Sequence, residues 1–349
     1  MSKPVLIIAL AWILLAAMSI CCLFVGAIAI SPWGVADALC FGNPSALTAT
    51  EKTILLELRL PRILTAILVG GSLGIAGVGF QSLFRNPLAD PYIIGASSGA
   101  ALGVSIAIIL GWQATWFGRH AAEIGLKSSS CAALLGSLLL VFVVLTLGSV
   151  SRRSSSLSLL LAGVALSSMI NSIVSLLMFW NEDKVVVIFS WLMGSLATND
   201  WDSIVSTSII AFVGLLCIWS LARPMDAYAL GDVTSQSLGL NLTWFRILMV
   251  AGASLSTGAA VSSAGIIGFV GLISPHMARW TIGPKHVWLI PMSACFGAMV
   301  LMVADALART VVAPTELPVG CVTALLGCPF FLGLLMFGSR MNDLLRGDE

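Results

Sequence analysis

Long apolar stretches follow one another along almost the whole chain, separated by short polar segments. A helix needs about 20 consecutive apolar residues to cross the hydrocarbon of a bilayer. By this criterion the pattern predicts ten spans, at residues 5–30, 61–82, 92–112, 131–150, 157–179, 203–222, 244–263, 266–281, 287–308 and 320–338. The eighth is short and contains Pro275, so its bounds are the least well defined. The pattern therefore predicts an all-α integral membrane protein with one membrane domain over residues 1–349.

The composition agrees with this fold class. Of the 349 residues, 58% are hydrophobic and 9% are charged, whereas soluble domains carry about 25% charged residues. The net charge of +1 gives no electrostatic reason to expect a nucleic-acid partner. The eight cysteines contain no CxxC pair, and the three histidines, His120, His276 and His286, are far apart in the chain. We therefore expect neither structural disulfides nor a metal site.

Glycines recur at four-residue intervals in two of the predicted spans. Gly70 and Gly74 show this spacing in the second span, and Gly95, Gly99 and Gly103 show it in the third. Residues four apart lie on one helix face, where small side chains let two backbones approach closely. We expect these faces to be helix-packing surfaces.

Charge in the polar segments predicts the orientation. With the N-terminus inside, ten of the 17 lysines and arginines fall on the inner side, which predicts that both termini are cytoplasmic. Arg59, Arg62 and Arg309 fall on the outer side, each at the end of a span. One interpretation is that they reach towards lipid headgroups. The other is a basic docking site for carboxylates of an external protein.

Two further polar patterns need an explanation. The fifth span carries Ser168, Asn171, Ser172 and Ser175 on one face. Polar groups at membrane depth either bond a neighbouring helix or face water, and we expect the second, a face that lines a pathway. Residues 223–243 form the longest polar inner segment. Its pattern predicts one helix over 225–230, a break at Gly231, and a second helix that Asp232 caps and that ends at Gly239, against the alternative of a solvated loop.

The sequence lacks the motifs of an enzyme. It has no GxxxxGK[ST] loop for ATP, no HExxH, no nucleophile elbow and no recognisable catalytic triad. Acidic residues at membrane depth are scarce, which disfavours an ion-driven carrier. The free energy for transport is then expected to come from a separate subunit.

Four stretches together resemble a known family. They are Arg59–Arg62, Gln81–Gly103 with its QSLFRNPLADP turn, Asp226–Gly239, and Gly265–Arg279 with GLISPHMAR. They are similar to the FecCD-type permease subunits of ATP-binding-cassette (ABC) importers for iron-siderophores, haem and cobalamin. The resemblance implies a type II ABC importer permease fold of ten helices in the cell inner membrane.

The resemblance also implies partners. The permease would form a homodimer with two cytoplasmic ATPase subunits, which hold ATP and Mg, and one external substrate-binding protein. This chain would bind no cofactor, and a metal chelate would cross by alternating access.

The resemblance assigns site residues as well. It implies that Arg59, Arg62 and Arg309 bind the external substrate-binding protein. The cytoplasmic gate falls to Asn86, Leu88, Ser155 and Ser156. ATPase coupling falls to Asp226, Ala227, Leu230, Gly231, Ser237, Leu238 and Gly239. Two alternatives are kept open, an ion-coupled secondary carrier of a small organic solute and an intramembrane enzyme. A carrier would transport without any ATPase subunit, and an enzyme would turn over substrate alone.

Overall fold

The computed structural model describes residues 3–26, 28, 31–35, 48–112, 127–150, 156–197 and 200–346, and these residues form helices and turns without a strand. The principal helices are α1 (Lys3–Phe24), α2 (Ala49–Phe84), α3 (Ala96–Ile109), α4 (Ser128–Val150), α5 (Ser156–Trp180), α6 (Val185–Leu192), α7 (Trp201–Ser220), α8 (Ala222–Tyr228), α9 (Asp232–Ser237), α10 (Leu242–Ala264), α11 (Val270–Ile282), α12 (His286–Thr310) and α13 (Val319–Arg346).

The apolar stretches predicted the positions of the long helices well. Each of the ten coincides with a helix. In the described part of the chain, seven helices are long and apolar enough to cross a membrane, namely α1, α2, α4, α5, α7, α10 and α12. Helix α3 and the segment Val319–Gly333 of α13 are apolar but shorter. The fold class is therefore confirmed, and the number of ten spans stays a prediction.

Helix α2 is the centre of the bundle. It packs against α12, α10, α11 and α7, and most of its side chains are buried. The approach to α12 is very close, because a Cβ added to Gly70 would lie 2.3 Å from the Gly297 carbonyl oxygen, and one added to Gly297 would lie 2.1 Å from that of Gly70. Only glycine fits on either side of this crossing. The packing role predicted for the Gly70 and Gly74 face is confirmed.

The third span packs in the same way. Cβ atoms at Gly99 and Gly103 would lie 2.3 and 2.1 Å from the carbonyl oxygens of Gly136 and Ala132 on α4. Gly95 has a different role, because it precedes α3 with a φ of +90°, which side chains rarely adopt. Two of the three glycines predicted on this face are therefore packing residues, and the third begins the helix.

The eighth predicted span becomes helical later than expected. Helix α10 ends at Gly265, with a φ of +72°, and α11 begins only after Phe269, which has a left-handed φ of +68°. Backbone groups in a membrane need internal partners. Tyr92 supplies one pair, since its hydroxyl donates to the Ile267 carbonyl at 3.0 Å and accepts from the Ile267 N–H at 3.2 Å. The 13-residue α11 is therefore shorter than its apolar stretch predicted.

Two elements were not predicted. Helix α6 has eight residues, seven of them apolar, which is too few for the span criterion. Helix α2 begins at Ala49, twelve residues before the predicted start, after a capping box in which Thr48 and Glu51 bond each other's backbone N–H groups at 2.8 and 3.2 Å. The next segment of the helix, Ile54–Arg59, is π-helical and contains the charged residues Glu57 and Arg59. The Thr-x-x-Glu pattern was the available signal.

Candidate functional site

An ionic network joins α2 to α12 at one end of the bundle. Arg62 Nε donates to Asp305 Oδ1 at 2.8 Å, and Arg309 Nε lies 3.1 Å from Asp305 Oδ2. One carboxylate therefore bridges two guanidiniums. The Asp305 side chain is 2% exposed and those of Arg62 and Arg309 are 9% and 6% exposed, so all three charges are buried.

Further contacts complete this group, which we call the arginine cluster (Arg59, Arg62, Asp305, Arg309, Glu316). Arg62 Nη1 donates to both carboxylate oxygens of Glu316, at 2.8 and 2.9 Å, and the Glu316 side chain is 44% exposed. Arg59 donates to the backbone carbonyls of Leu23 and Ile28. With three guanidiniums and two carboxylates, the cluster has one excess positive charge. Its arginines and Glu316 line a cavity of about 360 Å³.

The turn between α2 and α3, residues 85–91, lies at the other end of α2. Arg62 and Ser82 are 20 residues apart on this helix, which corresponds to about 30 Å at the α-helical rise. Asn86 and Leu88 are exposed, and Asn86 Oδ1 accepts the Leu88 N–H at 2.9 Å. The two residues that the resemblance assigns to the gate therefore lie in one small turn. Ser156 is the first residue of α5, and Ser155 lies outside the described residues.

The polar face of α5 is open. Ser168, Asn171, Ser172 and Ser175 are all exposed. The three hydroxyls donate to carbonyls of their own helix four residues earlier, at 2.9–3.0 Å. These hydroxyls do not join α5 to another described helix, so the structure gives no support to the alternative of bonds between helices of the same chain.

The 223–243 segment forms the two short helices α8 and α9. Gly231 breaks them as expected, with a φ of +107°, and Gly239, with a φ of +86°, follows the second. Leu230 and Leu238 are 63% and 64% exposed, although they are apolar. Ala227 lies on α8 and Ser237 ends α9. The segment thus presents leucines on its surface next to polar residues.

The capping role predicted for Asp232 is wrong. Gly231 is the N-cap of α9, and Asp232 is the first helical residue without a capping bond from its side chain. Its carboxylate instead bridges two arginines, with Oδ1 2.5 Å from Arg85 Nη2 and Oδ2 2.7 Å from Arg246 Nη2. The carboxylate forms these ion pairs instead of a capping bond because Arg85 and Arg246, which belong to other elements, both lie next to it.

A second connection fixes the same segment to the bundle. The Asp226 carboxylate accepts from His286 Nδ1 at 2.6 Å, and His286 Nε2 lies 2.7 Å from Ser82 Oγ. The His286 N–H also donates to Asp226, at 3.2 Å, at the start of α12. This Ser–His–Asp chain was not predicted, since its members are distant in sequence. Ser82 lies inside α2, where the backbone N–H groups beside it bond within the helix and are therefore not available as oxyanion donors.

Two polar residues of the Gly265–Arg279 stretch contact other residues of the bundle. Arg279 Nη1 donates to Gln81 Oε1 at 2.7 Å, so this arginine bonds α2. His276, three residues earlier, lies beside the Trp280 ring. Among the residues that the structure describes, no group of three or more His, Cys, Asp or Glu side chains could hold a metal ion.

Comparison with known proteins gives the family. The FecCD transport family matches residues 13–337. The chain belongs to this family. A hemin transport permease of Yersinia pestis, HmuU, is 39% identical over 286 residues, which cover 81% of this chain and 83% of HmuU. A cobalamin import permease of Halobacterium salinarum, BtuC, is 38% identical over 309 residues, or 87% and 79% of the two chains.

A solved structure supports the same assignment for this FecCD protein. An inward-facing metal-chelate type ABC transporter superposes with a TM-score of 0.80 at 30% identity, over 95% of this chain and 99% of the other. The FecCD protein is therefore a multi-pass permease subunit of an ABC importer and not an enzyme. Such permeases work as dimers with ATPase and binding-protein partners, and the ATPase uses the ATP.

Proposed function

We propose that this permease forms a homodimer with two cytoplasmic ATPase subunits and one external binding protein, and that it imports a metal chelate by alternating access. Both termini lie in the cytoplasm of a cell whose inner membrane holds the complex, and ATP and Mg bind only the ATPase subunits. The observation that carries the proposal is the similarity, over nearly the full length, to a metal-chelate type ABC transporter.

The substrate class follows from the relatives. Permeases 39%, 38% and 32% identical to this chain are named for hemin, cobalamin and Fe(3+)-citrate. These ligands share a chelated metal. The exposed α5 face, with Ser168, Asn171, Ser172 and Ser175, offers hydroxyls and one amide without charge. Such a face passes a bulky chelate with few specific contacts, so the external binding protein selects among chelates.

The arginine cluster is proposed as the docking site of the binding protein. The cluster has one excess positive charge and borders a cavity. Within the chain, Arg62 is already paired with the partly exposed carboxylate of Glu316. A carboxylate of the partner can take the place of Glu316 without disturbing buried Asp305. The buried arginines also stabilise the fold, so reversing all three charges is a poor test, and a change at Glu316 is a better one.

The 223–243 segment is proposed to press into a groove of the ATPase. The supporting feature is its exposed Leu230 and Leu238 beside glycines with positive φ. Val233 of α9 is exposed as well, and exposed apolar side chains that are grouped in this way are typical of a protein-binding surface. Movement of this segment would change the gate formed by Asn86, Leu88, Ser155 and Ser156.

Transport into vesicles tests the function. The permease is reconstituted with its ATPase and binding protein, and uptake of radiolabelled haem, cobalamin and iron-citrate is measured with and without ATP. We expect ATP-dependent uptake of one chelate class. Uptake by the permease alone, driven by an imposed proton or sodium gradient, would instead establish the secondary carrier. Chemical conversion of the chelate by the purified permease alone would establish an intramembrane enzyme.

A further inference from the structure

The Arg85 side chain joins the inner end of α2 to both coupling helices, α8 and α9. Arg85 Nε and Nη2 both donate to the Tyr228 carbonyl, at 3.0 and 2.7 Å, and the Arg85 guanidinium stacks 3.9 Å above the Tyr228 ring. Nη2 also pairs with Asp232 at 2.5 Å. Arg85 therefore contacts the end of α8 and the start of α9 at once, on both sides of Gly231.

The backbone of Arg85 joins α2 to the gate turn. Arg85 is the C-cap of α2 with a left-handed φ of +47°, and its N–H bonds the carbonyls of Gln81 and Ser82. Non-glycine residues adopt this conformation at a cost. The next residue is Asn86, the first of the two gate residues in the turn. The residue that contacts the coupling helices is thus also the residue at which the chain turns into the gate.

Neighbouring contacts hold the end of α8, which Arg85 contacts, in a fixed position against the bundle. Tyr228 is 1% exposed and packs against Phe245, with ring centroids 4.8 Å apart, so the ring beneath Arg85 has a fixed position. The Ser82–His286–Asp226 chain holds α2 and α8 together one turn earlier. A movement of α8 and α9 is therefore transmitted to α2 at Ser82 and Arg85.

We propose that Arg85 is a positioning residue that transmits movement of the coupling helices to the gate turn at Asn86–Leu88. This inference rests on the proposed function and adds the side chain that links its two inner parts. The half-exposed pair with Asp232 is too weak to matter for stability, with side chains 36% and 43% exposed. The contribution of Arg85 is to geometry, so its loss uncouples hydrolysis from transport and leaves the fold intact.

Three substitutions separate the side chain from the backbone. Arg85→Gly retains the left-handed conformation without strain but removes every contact of the side chain. Arg85→Ala removes the contacts and keeps the strain. Arg85→Lys keeps the charge but loses the two-point bond and the planar stack. The control is Lys285→Ala, an exposed cation at the same end of the bundle.

The complete importer, with ATPase and binding protein, is reconstituted in vesicles, and the number of chelates imported per ATP hydrolysed is measured. We expect this ratio to fall at least fivefold in Arg85→Gly and Arg85→Ala, to fall less in Arg85→Lys, and to stay at the wild-type value in Lys285→Ala. The melting temperature of all four variants should equal that of the wild type.

Two failures are distinguishable. If the wild-type importer shows no ATP-driven uptake, the proposed function is wrong whatever Arg85 does. If the wild type is coupled and Arg85→Gly has the wild-type ratio, the proposed function stands and the role of Arg85 is wrong. If Arg85→Gly is normal while Arg85→Ala is impaired, backbone strain alone explains the position, and the inference is again overturned.

Discussion

At each end of α2 one aspartate bridges two arginines, but the two aspartates differ in their exposure to solvent. Asp305 bridges Arg62 and Arg309 with a side chain that is 2% exposed, and Asp232 bridges Arg85 and Arg246 with one that is 43% exposed. A buried carboxylate that loses its partners leaves uncompensated charge, whereas water replaces the partners of an exposed one. The first arrangement fixes a shape, and the second permits movement.

This contrast agrees with the proposed division of labour. The arginine cluster has to present a constant surface to a docking protein, and its arginines cap backbone carbonyls at Leu23, Val25 and Ile28 as well. The coupling helices have to move with the ATPase. Their contacts to α2 include the partly exposed Arg85–Asp232 pair, the Ser82–His286–Asp226 chain and a bond from the Tyr228 hydroxyl to the Leu83 carbonyl at 3.4 Å.

The largest effect is expected at Asp305. Asp305→Ala leaves Arg62 and Arg309 buried without their shared carboxylate, and breaking a buried pair in this way costs about 3–5 kcal/mol. Thermal unfolding in detergent measures the loss. The matched control is Asp183→Ala, whose pair with Lys184 is 70% exposed on the aspartate side and should change little. Equal melting temperatures for the two variants would contradict the contrast between the ends.

The next effect is expected at the coupling helices. Leu238→Asp removes an exposed leucine that the proposal buries in the ATPase, and burial of a leucine contributes about 1.5–3 kcal/mol. We expect the affinity of the permease for its ATPase to fall tenfold or more, measured by co-purification and by binding to immobilised ATPase. Thr281→Asp, an exposed position at the end of α11, serves as the control. Equal losses in both variants would remove the specific role of Leu238.

A smaller effect is expected at Glu316. Glu316→Gln weakens the internal competitor for Arg62, and partly exposed ion pairs are worth about 1 kcal/mol or less. The binding protein should therefore bind up to about fivefold more tightly, with a steeper dependence on salt, in surface plasmon resonance. Glu182→Gln, an exposed acid in another turn, is the control. Unchanged affinity in Glu316→Gln would argue against docking at Arg62.

The smallest effect on stability is expected at Asp232. Asp232→Asn weakens two partly exposed ion pairs but keeps an amide oxygen that can accept from one arginine, and we expect it to lower the free energy of unfolding by about 1 kcal/mol or less. The same variant should lower the transport ratio, because it loosens Arg85. A loss of stability as large as that of Asp305→Ala would show that the two bridges do not differ as proposed.

The sequence predicted what local patterns determine. Apolar stretches located the long helices, and four-residue glycine spacing identified the face of α2 that packs against another helix. Contacts between distant residues were not predictable. Arg62 meets Asp305 across 243 positions, and Ser82 meets His286 across 204.

One local prediction failed and another had its bounds corrected, because tertiary contacts prevailed. Asp232 stands where a helix cap is expected, yet two arginines from other elements compete for its carboxylate. The eighth apolar stretch was predicted to be helical from residue 266, yet Tyr92 from another element bonds the non-helical backbone of Ile267, and the helix begins only at Val270. The family resemblance named the coupling residues, but it did not indicate Arg85, Tyr228 or His286.

Hydrogen–deuterium exchange on the complete importer, with and without ATP, tests the central claim most directly. If α2 carries movement at one end and a fixed shape at the other, ATP changes exchange in peptides covering residues 85–95 and 222–241 and leaves it unchanged in those covering 54–65 and 303–318. Equal changes at both ends, or changes confined to the arginine cluster, would contradict the account.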